Sequence, residues 1–483
     1  MSIEVKQLNP QPLWSIFADL CAIPRPSKSE DKVVQYVLDF AKKHNLEAIK
    51  DQVGNVIIRK PATPGKEKVK PIILQAHVDM VPQKNTSTVH DFHTDPIQAF
   101  VDGEWVKAKG TTLGADNGIG VAAALAVMQS KDLTHGPLEV LLTIDEETGM
   151  TGAFNIEAGV LKGKTMINLD SEDEGELYIG CAGGINTSAK FQVNKEKVSA
   201  DFKSYKLSLT GLRGGHSGLD INLGRGNANK LMNRFLWKTS RELDIRIAAL
   251  EGGTLRNAIP RESFATVVVP SKNMVAFEKE VVSFEKIFKL ELSSVEPDLS
   301  FKCESEALPT HCLDVASQFK LLNAVYAIPN GAMRMIAEMP QVVETSTNLA
   351  IIKMNDTEVE IMCLLRSSVE SAKLDLANSM TAVFELSGAS VEHSGNYPGW
   401  KPDVNSPILL TMQDVYMKYF GVTPEVKVIH AGLECGIIGD KYPGMDMVSF
   451  GPTIRHPHSP DEKVNIPTVS KFWDFLVETL KYA

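Results

Sequence analysis

The stretch PIILQAHVDM, residues 71–80, decides the fold. A short apolar run bounded by proline reads as a strand buried on both faces, and such strands belong to mainly parallel sheets covered by helices. At its carboxyl end stand His77 and Asp79, one residue apart. Alternation along a strand turns both to the same side. Outward from this stretch, the first 180 residues alternate helix and strand. SKSEDKVVQYVLDFAKK (27–43) opens with a capping-box pattern, Ser27 to Glu30, followed by apolar residues at helical spacing. NGIGVAAALAVMQS (117–130) reads as a small-residue helix, and LEVLLTI (138–144) and KTMINL (164–169) as two more buried strands.

After GCAGG (180–184) the texture changes to antiparallel strands and helices. YKLSLTG (205–211) alternates as a strand, GNANKLMNRFLWK (226–238) reads as a helix, and residues 243–270 read as two strands around a turn. A weaker version follows, with a hairpin over 345–366 and a helix over 371–387, which suggests internal duplication. From 397 the first texture returns, with the strand DMVSFGPT (446–453) and the amphipathic helix IPTVSKFWDFLVETL (466–480). The expected architecture is α/β: a catalytic domain (1–184 plus 397–483) with helices on both faces of a mainly parallel sheet, interrupted by an inserted α+β lid domain (185–396). A chain of 483 residues is too long for one core.

Bulk properties narrow the function. The net charge of −10, with no long basic block, argues against nucleic-acid binding. The longest purely apolar stretch, VAAALAVM (121–128), is far short of a membrane span, and the first residues lack the apolar core of a secretory signal. Six cysteines without a CxxC pair read as reduced thiols of a cytoplasmic protein.

Several strands run into the same kind of residue. LEVLLTI leads into Asp145, Glu146 and Glu147, KTMINL into Asp170, and SFGPT into RHPHSPDE with His456 and His458. Ligand sites of open α/β sheets lie just past the carboxyl ends of the strands. Asp116 stands at a glycine-flanked turn entering a helix, where a plain N-cap is the competing explanation. His77, Asp116, Glu147, Asp170 and His458 are too many ligands for one catalytic zinc, but they suit two divalent ions sharing a bridging carboxylate. Imidazole beside carboxylate favours zinc, cobalt or manganese over magnesium and calcium. Asp79 is placed to take the other N–H of His77. Of Glu146 and Glu147, one can bind metal and the other serve as base, and spacing leaves the choice open.

These segments, in this order, resemble the cocatalytic zinc peptidase family of aminoacylase, carboxypeptidase G and carnosinase. AHVDMVP, GTTLGADNGIG, DEETGMTGA, NLDSEDEGE and GPTIRHPHSPDE carry the resemblance. RKPATPG, GGTLRNAIPRE and HAGLECG bring it nearer to the bacterial aminoacyl-histidine dipeptidases within that family. The resemblance implies one metal on His77 and Asp170, a second on Glu147 and His458, Asp116 between them, Asp79 orienting His77 and Glu146 as general base. It further implies that His216 in GLRGGHSG stabilises the oxyanion, that Asn257 and Arg366 bind the carboxylate end of a dipeptide such as β-alanyl-histidine, and that Gly432 gives a backbone contact. Many relatives carry an aspartate where this chain has Asn117.

Other readings are weaker. His90 and His93 form an HxxH in a polar, loop-like stretch and read as solvated. A thiol hydrolase built on Cys312 or Cys435 leaves the strand-end acids unexplained. An N-acyl amino acid deacylase shares the metal motifs and stays open, and a non-catalytic metal-dependent binder has no use for Glu146. A homodimer stays open too.

Overall fold

The computed structural model describes residues 3–483, and their contacts fall into two compact units. The first comprises residues 3–180, 400–428 and 433–483, the second residues 181–399 and 429–432. Residues 429–432 join the second unit because the Ala182 N–H is shared between the carbonyls of Ile429 and Ala431, and because His430 reaches Ser346.

In the first unit, an eight-stranded sheet has four neighbouring parallel strands at its centre: Leu138–Thr143, Ile72–His77, Thr165–Asn168 and Asp446–Ser449. Antiparallel strands extend it, Val56–Lys60 on one side and Glu176–Cys181 on the other. Both faces are covered, as continuous apolar runs require. Ile72, Leu74 and Ala76 join one large apolar cluster, while Ile73 is equally buried on the opposite face. The helix Ala115–Gln129 is buried almost throughout, which its alanines and glycines allow by letting backbone approach closely.

The Ser27–Glu30 pattern does not cap the helix Asp31–Lys43. Glu30 has helical φ/ψ and no side-chain cap bond. Ser27 Oγ instead donates to Asp79 Oδ2 at 2.8 Å, and Glu30 Oε1 accepts the N–H groups of Lys28 and Asp145. Both residues are committed to the strand-end loops, so a local signal gives way to tertiary partners.

In the second unit a nine-stranded sheet is covered by helices on one face. Its first half runs Phe202–Thr210, helix Ala228–Glu242, Arg246–Gly252, Ser263–Pro270, helix Met274–Glu291, Ser300–Glu306. The other half runs Gly183–Gln192, helix Val315–Ala327, Met339–Met354, Glu358–Ser367, helix Glu370–Leu386, Ser390–Tyr397. Each half has the spatial order fourth–first–third–second, and the halves meet where Arg246–Gly252 pairs with Met339–Met354. The repeated topology accounts for the duplicated texture of the sequence.

Candidate metal centre

The parallel strands deliver their last residues to one place. His77 ends its strand only 1% exposed, and its Nε2 lies 3.1 Å from Asp116 Oδ1 and 3.3 Å from Asp170 Oδ1. His458 Nε2 lies 3.2 Å from the other oxygen of Asp116 and 3.0 Å from Glu147 Oε2. One carboxylate therefore faces two imidazoles, each with a second carboxylate beside it. The backbone kinks at Asp116, whose φ of −77° and ψ of 111° interrupt the helix, and both its oxygens face imidazoles rather than capping backbone N–H groups.

Asp79, fully buried, joins His77 to the next loop. Its Oδ1 lies 3.3 Å from His77 Nδ1 and accepts the Glu146 N–H, and its Oδ2 accepts the Glu147 N–H. Negative charge is crowded here. Burial pushes Glu147 and Asp170 up, and it pushes Glu146 well above the usual carboxylate range, with Asp170, Glu434 and Glu147 adding to the effect against His77. Asp116 and Glu147 raise His458 to about 11. Burial lowers His77, but Asp170, Asp116 and Asp79 outweigh it and hold the imidazole well above its ordinary value.

Such a cluster fits divalent cations. Two groups, His77–Asp116–Asp170 and Asp116–Glu147–His458, each place three ligand atoms within 4.8 Å of one another. Glu147 Oε1 is buried with no hydrogen-bond partner among the described residues. Mixed imidazole nitrogen and carboxylate oxygen is a donor set for zinc, cobalt or manganese.

Two supporting residues, Glu462 and Arg25, escaped the sequence reading, and a third, Asn117, was noted there without a partner. Glu462 accepts four backbone N–H groups, from Leu113 at 2.7 Å, Gly114 at 3.0 Å, Ala115 at 2.7 Å and Asp116 at 3.3 Å. It clamps the turn that presents Asp116. Arg25 fastens the same turn, donating to the carbonyls of Val78, Asp79 and Gly114. Asn117 Nδ2 donates to Asp170 Oδ1 and to the Leu169 carbonyl, a bond an ionised aspartate could not make. The only advance signals were Glu462 within RHPHSPDE and the odd asparagine itself. His90 and His93 take no part: His90 is buried against Phe92 rather than solvated, and His93 is exposed.

His216, Asn257, Arg366 and Gly432 all belong to the second unit. His216 Nδ1 accepts the N–H groups of Gly218 and Leu219 at 3.2 and 3.0 Å, which places the ring proton on Nε2. Burial and the charge of Arg366 keep this imidazole below its ordinary pKa, hence neutral. Asn257 lies in an exposed turn, its carbonyl accepting the Ser217 N–H. Arg366 is 5% exposed.

A family model described as Peptidase family M20/M25/M40 matches residues 73–482. The chain is 50% identical over 478 residues to the cytosol non-specific dipeptidase of Escherichia coli K12, covering 99% of both. It is 51% identical to the aminoacylhistidine dipeptidase of Vibrio alginolyticus, whose crystal structure it matches with a TM-score of 0.96 over 99% of this chain and 97% of that one. The aminopeptidase PepT of Bacillus cereus shares the fold, at 16% identity and a TM-score of 0.59, over 98% of each chain. On this extent of match, the chain belongs to Peptidase family M20/M25/M40.

Proposed function

We propose that this protein is a cytoplasmic metallo-dipeptidase that hydrolyses Xaa-His dipeptides, β-alanyl-histidine among them. It holds two divalent ions, zinc in the first place and cobalt or manganese otherwise. His77, Asp116 and Asp170 hold one ion, and Asp116, Glu147 and His458 the other. The observation that carries the proposal is Asp116, whose two oxygens face different histidines at 3.1 and 3.2 Å. The names of the Escherichia coli and Vibrio relatives both support a dipeptide substrate, the Vibrio name alone supports histidine as its second residue, and the Escherichia coli name supports the location.

Ions bound there supply Lewis-acid activation of water and of the scissile carbonyl. The protein's own groups do the rest. Asp79 fixes the His77 ring through Nδ1. Glu146 takes the proton of the attacking water and delivers it to the leaving amine. Its carboxylate receives no hydrogen bond among the described residues, and burial has already raised its affinity for a proton. His216, neutral with its proton on Nε2, donates to the oxyanion as the carbonyl becomes tetrahedral, a contribution of about 2.7–4 kcal/mol for one such donor. Arg366 pairs with the C-terminal carboxylate, with Asn257 and the backbone of Gly432 beside it. The second unit, which carries these groups, acts as the lid.

Removal of metal by chelation should abolish dipeptide cleavage and zinc should restore it, at two ions per chain by elemental analysis. Undiminished cleavage by metal-free protein would sink the proposal. Turnover of β-alanyl-histidine against N-acetyl-histidine separates the dipeptidase from a deacylase.

A further inference from the structure

Arg366 is held on one side by Tyr397 and flanked on the other by Ser346, groups outside the roles assigned above. It pairs in register with Ser346 on one neighbouring strand and with Gly184 on the other, and Gly184 pairs with Tyr397. Residues directly opposed in antiparallel strands project to the same face. Cys363 and Leu365 belong to the apolar cluster under the helices, so alternation turns Arg366 to the helix-free face. Ser346, Arg366, the missing side chain of Gly184 and Tyr397 thus form one row.

The glycine makes the row work. A Cβ at Gly184 would fall 2.7 Å from the Tyr397 ring and hydroxyl. Without it, Arg366 Nη1 donates to Tyr397 Oη at 3.0 Å across the gap. On the other side, Ser346 Oγ and His430 Nε2 lie 2.7 Å apart, both residues buried. Burial and the neighbouring guanidinium push His430 down to about 3, so its ring is neutral and Arg366 carries the charge. Arg366 Nε is buried without a hydrogen-bond partner among the described residues. No described carboxylate pairs with the guanidinium, and a buried cation without a counter-ion is expensive unless a ligand supplies one.

Resting on the reading of Arg366 above, we propose that Tyr397 and the Ser346–His430 couple are positioning residues. They fix the plane of the guanidinium so that the subsite selects peptides bearing a free C-terminal carboxylate.

The test sets alanyl-histidine against its C-terminal amide on wild type, Tyr397→Phe, Ser346→Ala and Arg366→Ala. Tyr397→Phe keeps the ring over Gly184 and removes only the hydroxyl. It should raise KM for the free acid about tenfold, with kcat within about twofold, and leave the amide unchanged. Ser346→Ala should act in the same direction by less, and Arg366→Ala should erase the preference for the acid. Equal losses on acid and amide, the mark of a merely structural role, would overturn the proposal, as would an unaltered preference in Tyr397→Phe. An Arg366→Ala variant that still prefers the acid removes the carboxylate subsite itself. Equilibrium binding of L-histidine against L-histidinamide gives the same comparison without turnover. Tyr397→Phe should bind L-histidine about tenfold more weakly, and unchanged binding would overturn the positioning role even if the wild type cleaves neither dipeptide.

Discussion

Two rows of polar side chains cross the two sheets, and they differ in whether their donors find acceptors. In the first unit Gln75, Asn168 and Ser449 are register partners on three neighbouring parallel strands. Asn168 donates to Gln75 Oε1, Ser449 donates to Asn168 Oδ1, and Gln75 Nε2 donates to Glu434 Oε2 at 2.6 Å. Thr143 also donates to Glu434. Gln75 lies on the same side of its strand as His77, two residues before it, so this row is the floor beneath the metal centre. In the second unit the row through Ser346, Arg366 and Tyr397 has a gap at Gly184 and an unpaired guanidinium nitrogen. A row with its donors spent gives support; a row with donors left over awaits a ligand.

The largest effect that sharpens this contrast comes from the residue above the closed row. Glu146→Gln should lower turnover by about 10²–10⁴ with unchanged metal content by elemental analysis and an unchanged thermal midpoint. A simultaneous loss of metal would place Glu146 among the supports. Next, Arg366→Ala should lower kcat/KM for free dipeptides by about 10²-fold with no loss of thermal stability, because a buried charge without a counter-ion disappears. A marked fall in melting temperature would show that the open row is structural after all. Gln75→Leu should do the reverse, costing about 1–3 kcal/mol in chemical denaturation by leaving Glu434 and Asn168 short of partners. It should also weaken metal binding while keeping the acid-over-amide preference.

A further effect concerns pH. His430 titrates near 3 when folded and near 6.5 when unfolded. Between those values the unfolded chain binds the extra proton, so stability falls as pH falls, by about 1.4 kcal/mol per pH unit at most. His430→Asn lacks that loss, and the stability lead of the wild type over this variant should therefore shrink on acidification from pH 7 to 4. A lead independent of pH would mean that His430 is not held neutral.

Much of this was legible in the sequence because strand ends are local signals. PIIL, LEVLLT and TMIN carry continuous apolar patterning, and the parallel core and the place where His77, Glu147 and Asp170 gather follow from it. What stayed hidden depends on partners distant in the chain. Glu462 looks like an ordinary loop acid until its four N–H donors from 113–116 are seen. Ser27 and Glu30 mimic a helix cap, since the oxygens that would accept or pair with backbone N–H groups are the same ones that brace Asp79 and Asp145. Gly184 reads only as the end of the GCAGG boundary, whereas its purpose is set by Tyr397, a partner that no local pattern announces.

The nesting of the two halves in the second unit bears on how that unit is assembled. Gly183–Gln192 emerges early but must wait for Glu358–Ser367 and Ser390–Tyr397, its partners on either side. All strands and helices of the first half, Phe202 to Glu306, lie between them. During synthesis the inner half can therefore close its own sheet while the outer one still lacks its neighbours, and such long-range pairing is intrinsically slow. A ribosome-stalled chain long enough to free residue 306 from the exit tunnel, yet too short to include 358–397, should already protect the inner strands from hydrogen exchange and leave 183–192 unprotected.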